Sequence, residues 1–154
     1  MATAKPKTVV QYSLTGNSIS HARTDVETCD VDVTIDEPTA RGGTNMGLSP
    51  TESLVASLIG CTNVIGQRVA EAQGVHFQGF GVDDLADFDR RGVMMQDEVE
   101  VPFPKIVLTI SSKADVDDAT LEEIKIDLGK FCPIAKVIRG SGTVIEEIWN
   151  ISRP

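Results

Sequence analysis

Basic residues are scarce in this chain of 154 residues: 14 lysines and arginines stand against 23 aspartates and glutamates, a formal net charge of −9. The few cations are scattered, so the clustered positive surface that neutralises a phosphate backbone is missing, and nucleic acid is excluded as a partner. No stretch approaches the ~20 apolar residues of a membrane span. The opening residues, Met1 to Lys7, contain no apolar core of a secretory signal and read as a short loose tail. A cytoplasmic location is therefore expected. Metal-binding residues are also few. There are two histidines, His21 and His76, both remote in sequence from the three cysteines, and no CxxC pair occurs. An odd cysteine count without an export signal does not suit a disulfide scaffold. Zinc is therefore poorly supported, and thiol chemistry is what remains.

What is present suits one compact domain over residues 1–154. The apolar fraction of 41% and charged fraction of 24% are ordinary for a globular protein. Residues 8–36 read as three short strands, the first over Thr8 to Leu14, with Gly16-Asn17-Ser18 as the following turn. Val31, Val33 and Ile35 alternate with polar residues in the period of a half-buried strand. Glu37 to Gly43 breaks regular structure. A helix is predicted from Pro50 to Gln73, with Ser49 as N-cap, Pro50 at the first helical position and Glu52 closing a capping box. Leu54, Leu58, Cys61, Ile65 and Val69 form its apolar stripe, flanked by Val55, Ile59 and small residues, so burial is expected around much of its circumference. Gly74 terminates it.

Val75 to Asp89 reads as a strand pair or one long bent strand, Arg91-Gly92 as a turn, and residues 93–104 as a long excursion. Ile106, Leu108 and Ile110 mark another strand. Asp117 or Asp118 caps a second helix carrying Leu121, Ile124 and Leu128. Cys132-Pro133 ends that helix and opens a further helical turn, and a last strand runs from Thr143 to Ile151. The order strands, long helix, strands, helix, strand points to an α+β fold rather than a doubly wound parallel sheet.

Two cysteines invite a chemical reading. Cys61 lies mid-helix on the apolar stripe, where a thiol is either a small buried hydrophobe or, given a cation nearby, a reactive thiolate. Cys132 precedes proline at the N-cap of a short helix, where unpaired N–H groups and the helix dipole would favour thiolate; a plain polar cap is the alternative. Cys29 is incidental. Met94, Met95, Phe103 and Phe80 could line an apolar entrance, although ordinary packing suits them as well.

Three segments, in order, resemble the OsmC-like family, which includes the organic hydroperoxide resistance proteins. The first runs from Asp36-Glu37-Pro38 through Gly42-Gly43 to Gly47-Leu48-Ser49-Pro50-Thr51-Glu52 and on to Gly60-Cys61-Thr62. The second is Asp87-Phe88-Asp89-Arg90-Arg91-Gly92, and the third Lys130-Phe131-Cys132-Pro133-Ile134. The ordered set covers the chain from about residue 30 onward. The resemblance implies antiparallel sheets around a long buried helix in an intertwined homodimer. It also implies a thiol peroxidase acting on organic hydroperoxides, and possibly on hydrogen peroxide. Cys61 would be the peroxidatic cysteine and Cys132 the resolving one, with an external dithiol reducing their disulfide and neither metal nor organic cofactor needed. It further implies an arginine beside the thiolate and a glutamate orienting it. Glu52 and Arg23 are the counterparts by position, with Arg41 as a rival arginine, while a capping box and a surface arginine are their structural alternatives. A non-catalytic small-molecule-binding or redox-sensing protein on the same scaffold is the second functional reading.

Overall fold

The computed structural model describes residues 8–154; the tail expected over residues 1–7 lies outside them. The chain forms two compact units, one ending at Ser53 and the other beginning at Leu54. In the first, β1 (Thr15–Ser18), β2 (Arg23–Thr28) and β3 (Val31–Asp36) make an antiparallel sheet in that order. The expected number of strands is right but the first is displaced. Thr8 to Leu14 forms no strand, while Gly16, Asn17 and Ser18 are in β1, opposite Val26, Asp25 and Thr24. The turn instead falls at residues 19–22. Ser20 Oγ accepts from the N–H groups of Ala22 and Arg23 there (3.2 and 3.1 Å), a hydroxyl-stabilised turn that outcompetes the glycine signal.

After β3 the chain is folded around one carboxylate. Asp36 is fully buried and accepts from Thr44 Oγ1 (2.6 Å) and from the N–H groups of Thr44 and Met46 (both 3.0 Å). The Thr44 hydroxyl, followed by the Met46 N–H, holds this carboxyl below its ordinary range despite burial. Backbone approaches are close in this loop: a Cβ on Gly43 would stand 1.7 Å from the Glu37 carbonyl oxygen, and one on Gly47 1.9 Å from that of Thr34. Only glycine fits either place.

Helix α1 spans Pro50–Ala72, within a residue of the expected end. Its start is the predicted capping box, Ser49 N–H donating to Glu52 Oε2 (2.8 Å) and Glu52 N–H to Ser49 Oγ (3.4 Å). Gly74, with φ +74°, sends the chain onward, and Val75 N–H reaches back to the Ala70 carbonyl (2.9 Å).

In the second unit β4 (Gln78–Asp87), β5 (Lys105–Lys113) and β6 (Val144–Ser152) form a sheet with β5 in the middle. β4 is the single long bent strand; the bend is a register shift between Gln78 and Gly81, with Gly79 at φ +65°. The antiparallel expectation holds for every ladder but one, since β6 runs parallel to β5. The reason is the connection. Helices α2 (Asp118–Phe131) and α3 (Pro133–Gly140) carry the chain back over the sheet, so it re-enters in the same direction. Core-facing Ile106, Leu108 and Ile110 on β5 pack with Leu58 and Val69 of α1 and with Ile124 and Leu128 of α2.

Helix α1 is buried along one side, at Val55, Leu58, Thr62, Gly66, Val69 and Ala70. Leu54 and Val64 remain 41% and 46% exposed, and Ser57 and Gly60 are exposed between them, so burial covers less of its circumference than the sequence predicts. The excursion between β4 and β5 is pinned by Arg91, which pairs with Asp89 (2.6 Å) and Asp97 (3.2 Å). No helix among the described residues is long and apolar enough to cross a membrane.

Candidate active site

The second unit brings Cys61 and Cys132 together, 71 positions apart in sequence, with 2.8 Å between their Sγ atoms. Each is positioned by its helix. Cys61 is at the start of the fourth turn of α1, where the buried side meets the exposed one, and is half-buried against the core. Cys132 is 1% exposed. It stands between two helices because Pro133 disfavours helical backbone in the residue before it. Its φ and ψ of −72° and 106° break the helix there. The same residue closes α2, its N–H donating to the Leu128 carbonyl (2.9 Å), and caps α3, its Sγ accepting from Ala135 N–H (3.4 Å).

The N-cap position of Cys132 is therefore as expected, but its electrostatic consequence is reversed. Burial, reinforced by the hydrogen bond to Cys61, pushes the Cys132 thiol up to about 11, against the downward pull of the Ala135 and Ile134 N–H groups. Two N–H dipoles of a short helix do not make good the hydration an anion would lose in an apolar core. Cys132 is thus a protonated thiol at neutral pH.

In the first unit, Arg23 and Glu52 are both engaged by neighbours. Arg23 Nε and one terminal nitrogen donate to the two oxygens of Asp25, both at 3.0 Å, and Thr34 Oγ1 donates to Asp25 as well (2.9 Å). The fork raises the arginine's hold on its proton and lowers the Asp25 carboxyl. Glu52 accepts from Ser49 Oγ (2.7 Å) and Ser49 N–H (2.8 Å), which hold its carboxyl low. Among the described residues Glu52 and Arg23 share no hydrogen bond. Arg41 donates to Glu37 (2.5 Å). Sequence reading does not single out Asp25, although alternate residues of a strand share a face, so Arg23-x-Asp25 already carried the signal.

The apolar entrance does not form as a unit. Phe80 packs in the core beside Phe77 and Trp149, with centroids 5.1 and 6.3 Å away. Phe103 stacks on Phe88 at 4.9 Å, while Met94 and Met95 are 48% and 93% exposed. Exposed apolar side chains on the elements that carry the two thiols are Leu54 and Val64 on α1, Ile126 and Phe131 on α2, and Val137 on α3. Cys29 is exposed at the β2–β3 turn, and His21 and His76 are exposed. No group of three or more His, Cys, Asp or Glu among the described residues could hold a metal ion.

What this arrangement can do is thiol chemistry: a half-exposed sulfur and a buried protonated one lie within reach of a disulfide. Solved structures share the architecture. An OsmC-like protein from Mycoplasma pneumoniae superposes with a TM-score of 0.77 at 14% identity, over 93% of this chain and 98% of its own. An organic hydroperoxide resistance protein from Legionella pneumophila does so at 0.63 and 16% identity, over 95% and 99%. For the organic hydroperoxide resistance protein of Bacillus subtilis the values are 0.57 and 20%, over 92% and 98%. Among curated proteins none matches the sequence. The family described as OsmC-like protein matches residues 42–147, a span that holds both paired cysteines, and the chain belongs to that family.

Proposed function

We propose that the chain is a thiol peroxidase reducing organic hydroperoxides, with Cys61 as the attacking thiol and Cys132 as the resolving one. The observation that carries this reading is the 2.8 Å approach of a half-exposed sulfur to a buried one. In the cycle, the Cys61 thiolate attacks the terminal peroxide oxygen; the O–O bond breaks, an S–O bond forms, and the departing alkoxide takes a proton from solvent. The sulfur, oxidised by two electrons, becomes a sulfenic acid. Cys132 then condenses with it, its proton leaving with the hydroxyl as water, and a disulfide remains. An external dithiol reduces that disulfide by exchange, becoming a disulfide itself. Leu54, Val64 and Phe131 supply apolar surface suited to an organic rather than an inorganic peroxide. The working form is a homodimer of single-domain chains, in the cytoplasm.

The test is peroxide consumption by the reduced protein, with cumene hydroperoxide or hydrogen peroxide as substrate and dithiothreitol as reductant. Turnover is expected with both and faster with the organic peroxide. Cys61→Ser should abolish it, and Cys132→Ser should consume about one equivalent and then stop. Full activity in Cys61→Ser would sink the assignment.

A second reading, a redox sensor or small-molecule-binding protein on the same scaffold, is favoured by the engagement of Arg23 with Asp25 and of Glu52 with Ser49. It predicts reversible oxidation of the cysteine pair without sustained turnover.

A further inference from the structure

We infer that Arg139 is the positioning residue of the cysteine pair: its guanidinium braces the α2–α3 elbow on which Cys132 sits and so keeps that sulfur at Cys61. The inference deepens the reading of Cys132 as the resolving thiol and rests on it. Cys132 is poorly placed to hold its own position. It is the one non-helical residue between α2 and α3, and α3 has eight residues, with Ala135 and Ile138 as its buried side chains. A helix so short is not stable alone in water, and its place is set by what it is tied to.

The tie is made at the far end of α3. Arg139, in the last turn, donates from Nη2 to Glu147 Oε1 on β6 (3.1 Å). Its Nη1 lies 3.7 Å from where a Cβ on Gly129 would stand, in the last turn of α2. One guanidinium thus joins β6 to both helices that flank Cys132. Glu147 shares a face of β6 with Ile145, Trp149 and Ile151, all packed against the core. A carboxylate there costs free energy unless it is paired. Both of its oxygens are engaged, since Oε2 accepts from Trp149 Nε1 (3.1 Å). Among the described residues the Arg139–Glu147 contact is the one ion pair that α3 makes.

The same carboxylate leads on to the other cysteine. Trp149 packs on Phe80 of β4, with centroids 6.3 Å apart, and a Cβ on Gly66 of α1 would stand 2.9 Å from Phe80 Cζ. Gly66 is about a turn and a half along α1 from Cys61. Cys61 and Cys132 are therefore joined twice, by their direct approach and around a ring of packed groups through Arg139, Glu147, Trp149 and Phe80. An apolar contact would stabilise α3 as well, but a planar fork on a carboxylate also fixes direction. Direction is what resolution needs, because the condensation is fast only while the second sulfur is held in line with the first. A sulfenic acid left waiting takes the terminal oxygen of a second hydroperoxide as the alcohol departs. The resulting sulfinic acid is not recovered by a dithiol.

The equilibrium between the Cys61–Cys132 disulfide and glutathione buffers measures how well the two sulfurs are held together, without any peroxide. In a Cys29→Ser background, Arg139→Met keeps the unbranched stem and drops the fork. It should disfavour the disulfide about tenfold, a rise of about 30 mV in reduction potential. Arg139→Lys, which still pairs with Glu147, should stay within about threefold of the parent. Glu147→Gln should lose about threefold, and the double variant no more than Arg139→Met alone, because the two residues form one brace. A contact that only stabilises the fold would lower the urea midpoint of both redox forms equally and leave the potential unmoved. An unmoved potential in folded Arg139→Met overturns the inference, as does a double variant whose loss is the product of the two singles. Should Arg139→Met not fold, Glu147→Gln, which keeps the shape of its side chain, carries the test, and an unmoved potential there is equally fatal. Peroxide turnover is measured separately: a shifted potential in a chain without turnover overturns the peroxidase reading alone.

Discussion

At the scale of single residues, burial and not position decides what Cys132 is. The N-cap of α3 offers it N–H groups, yet desolvation and the bond to Cys61 outweigh them and lift its proton release to about 11, above the 9 of an ordinary thiol. The sign of the stability effect follows. Below pH 9 both folded and unfolded chains hold the proton, so the contribution is constant. Between 9 and 11 the unfolded chain has released it and the folded one has not, so stability falls as pH rises. Urea unfolding of the reduced protein should show a lower midpoint at pH 10.5 than at pH 8. Cys132→Ser, whose hydroxyl does not titrate in that window, should lose less of it. Equal losses would mean that other groups set the alkaline limit. Cys132-Pro133 itself marks the break between two helices in the sequence; the partner of its sulfur does not, because it comes from another helix 71 positions away.

At the scale of elements, local signals were strong wherever a side chain meets the backbone within a few residues. The α1 capping box is such a case, and Ser49→Ala should cost about 1 kcal/mol in thermal or urea unfolding. A loss near zero would show that the helix start is held by something other than Ser49. The Asp36 loop is a different case. Gly43 and Gly47 read only as loop formers, but each sits where a backbone carbonyl of a nearby strand or loop residue fills the place of a Cβ. Gly43→Ala must displace that backbone and should cost more than the cap, on the order of 2–3 kcal/mol; the same unfolding measurement ranks the two. The first strand was misplaced for a related reason. Thr8 to Leu14 has the right residue types for a strand, but a strand needs a partner, and the ladder begins at Thr15 because the Ser20 turn fixes its register against β2.

At the scale of the whole molecule, the pairing of Cys61 with Cys132 predicts that oxidation stiffens the chain. A disulfide between them closes a loop of about 70 residues and should stabilise the folded state by up to about 4 kcal/mol through the unfolded chain's lost freedom. The diamide-oxidised protein should therefore melt several degrees above the reduced protein, with no such difference in Cys61→Ser. An oxidised form that melts lower would show that the bond strains α1 against the α2–α3 junction. The amino-acid sequence alone determined the α+β order of elements, the ends of α1, the caps of α2 and α3 and the family, because capping, glycine and proline chemistry and hydrophobic period act over short range. Three things were decided only by the tertiary structure. They are the parallel return of β6, the exposed face left along α1, and the apolar burial that settles Cys132 as a protonated thiol where its N-cap position left thiolate open. Each depends on which distant segments share a core, and short-range signals do not carry that information.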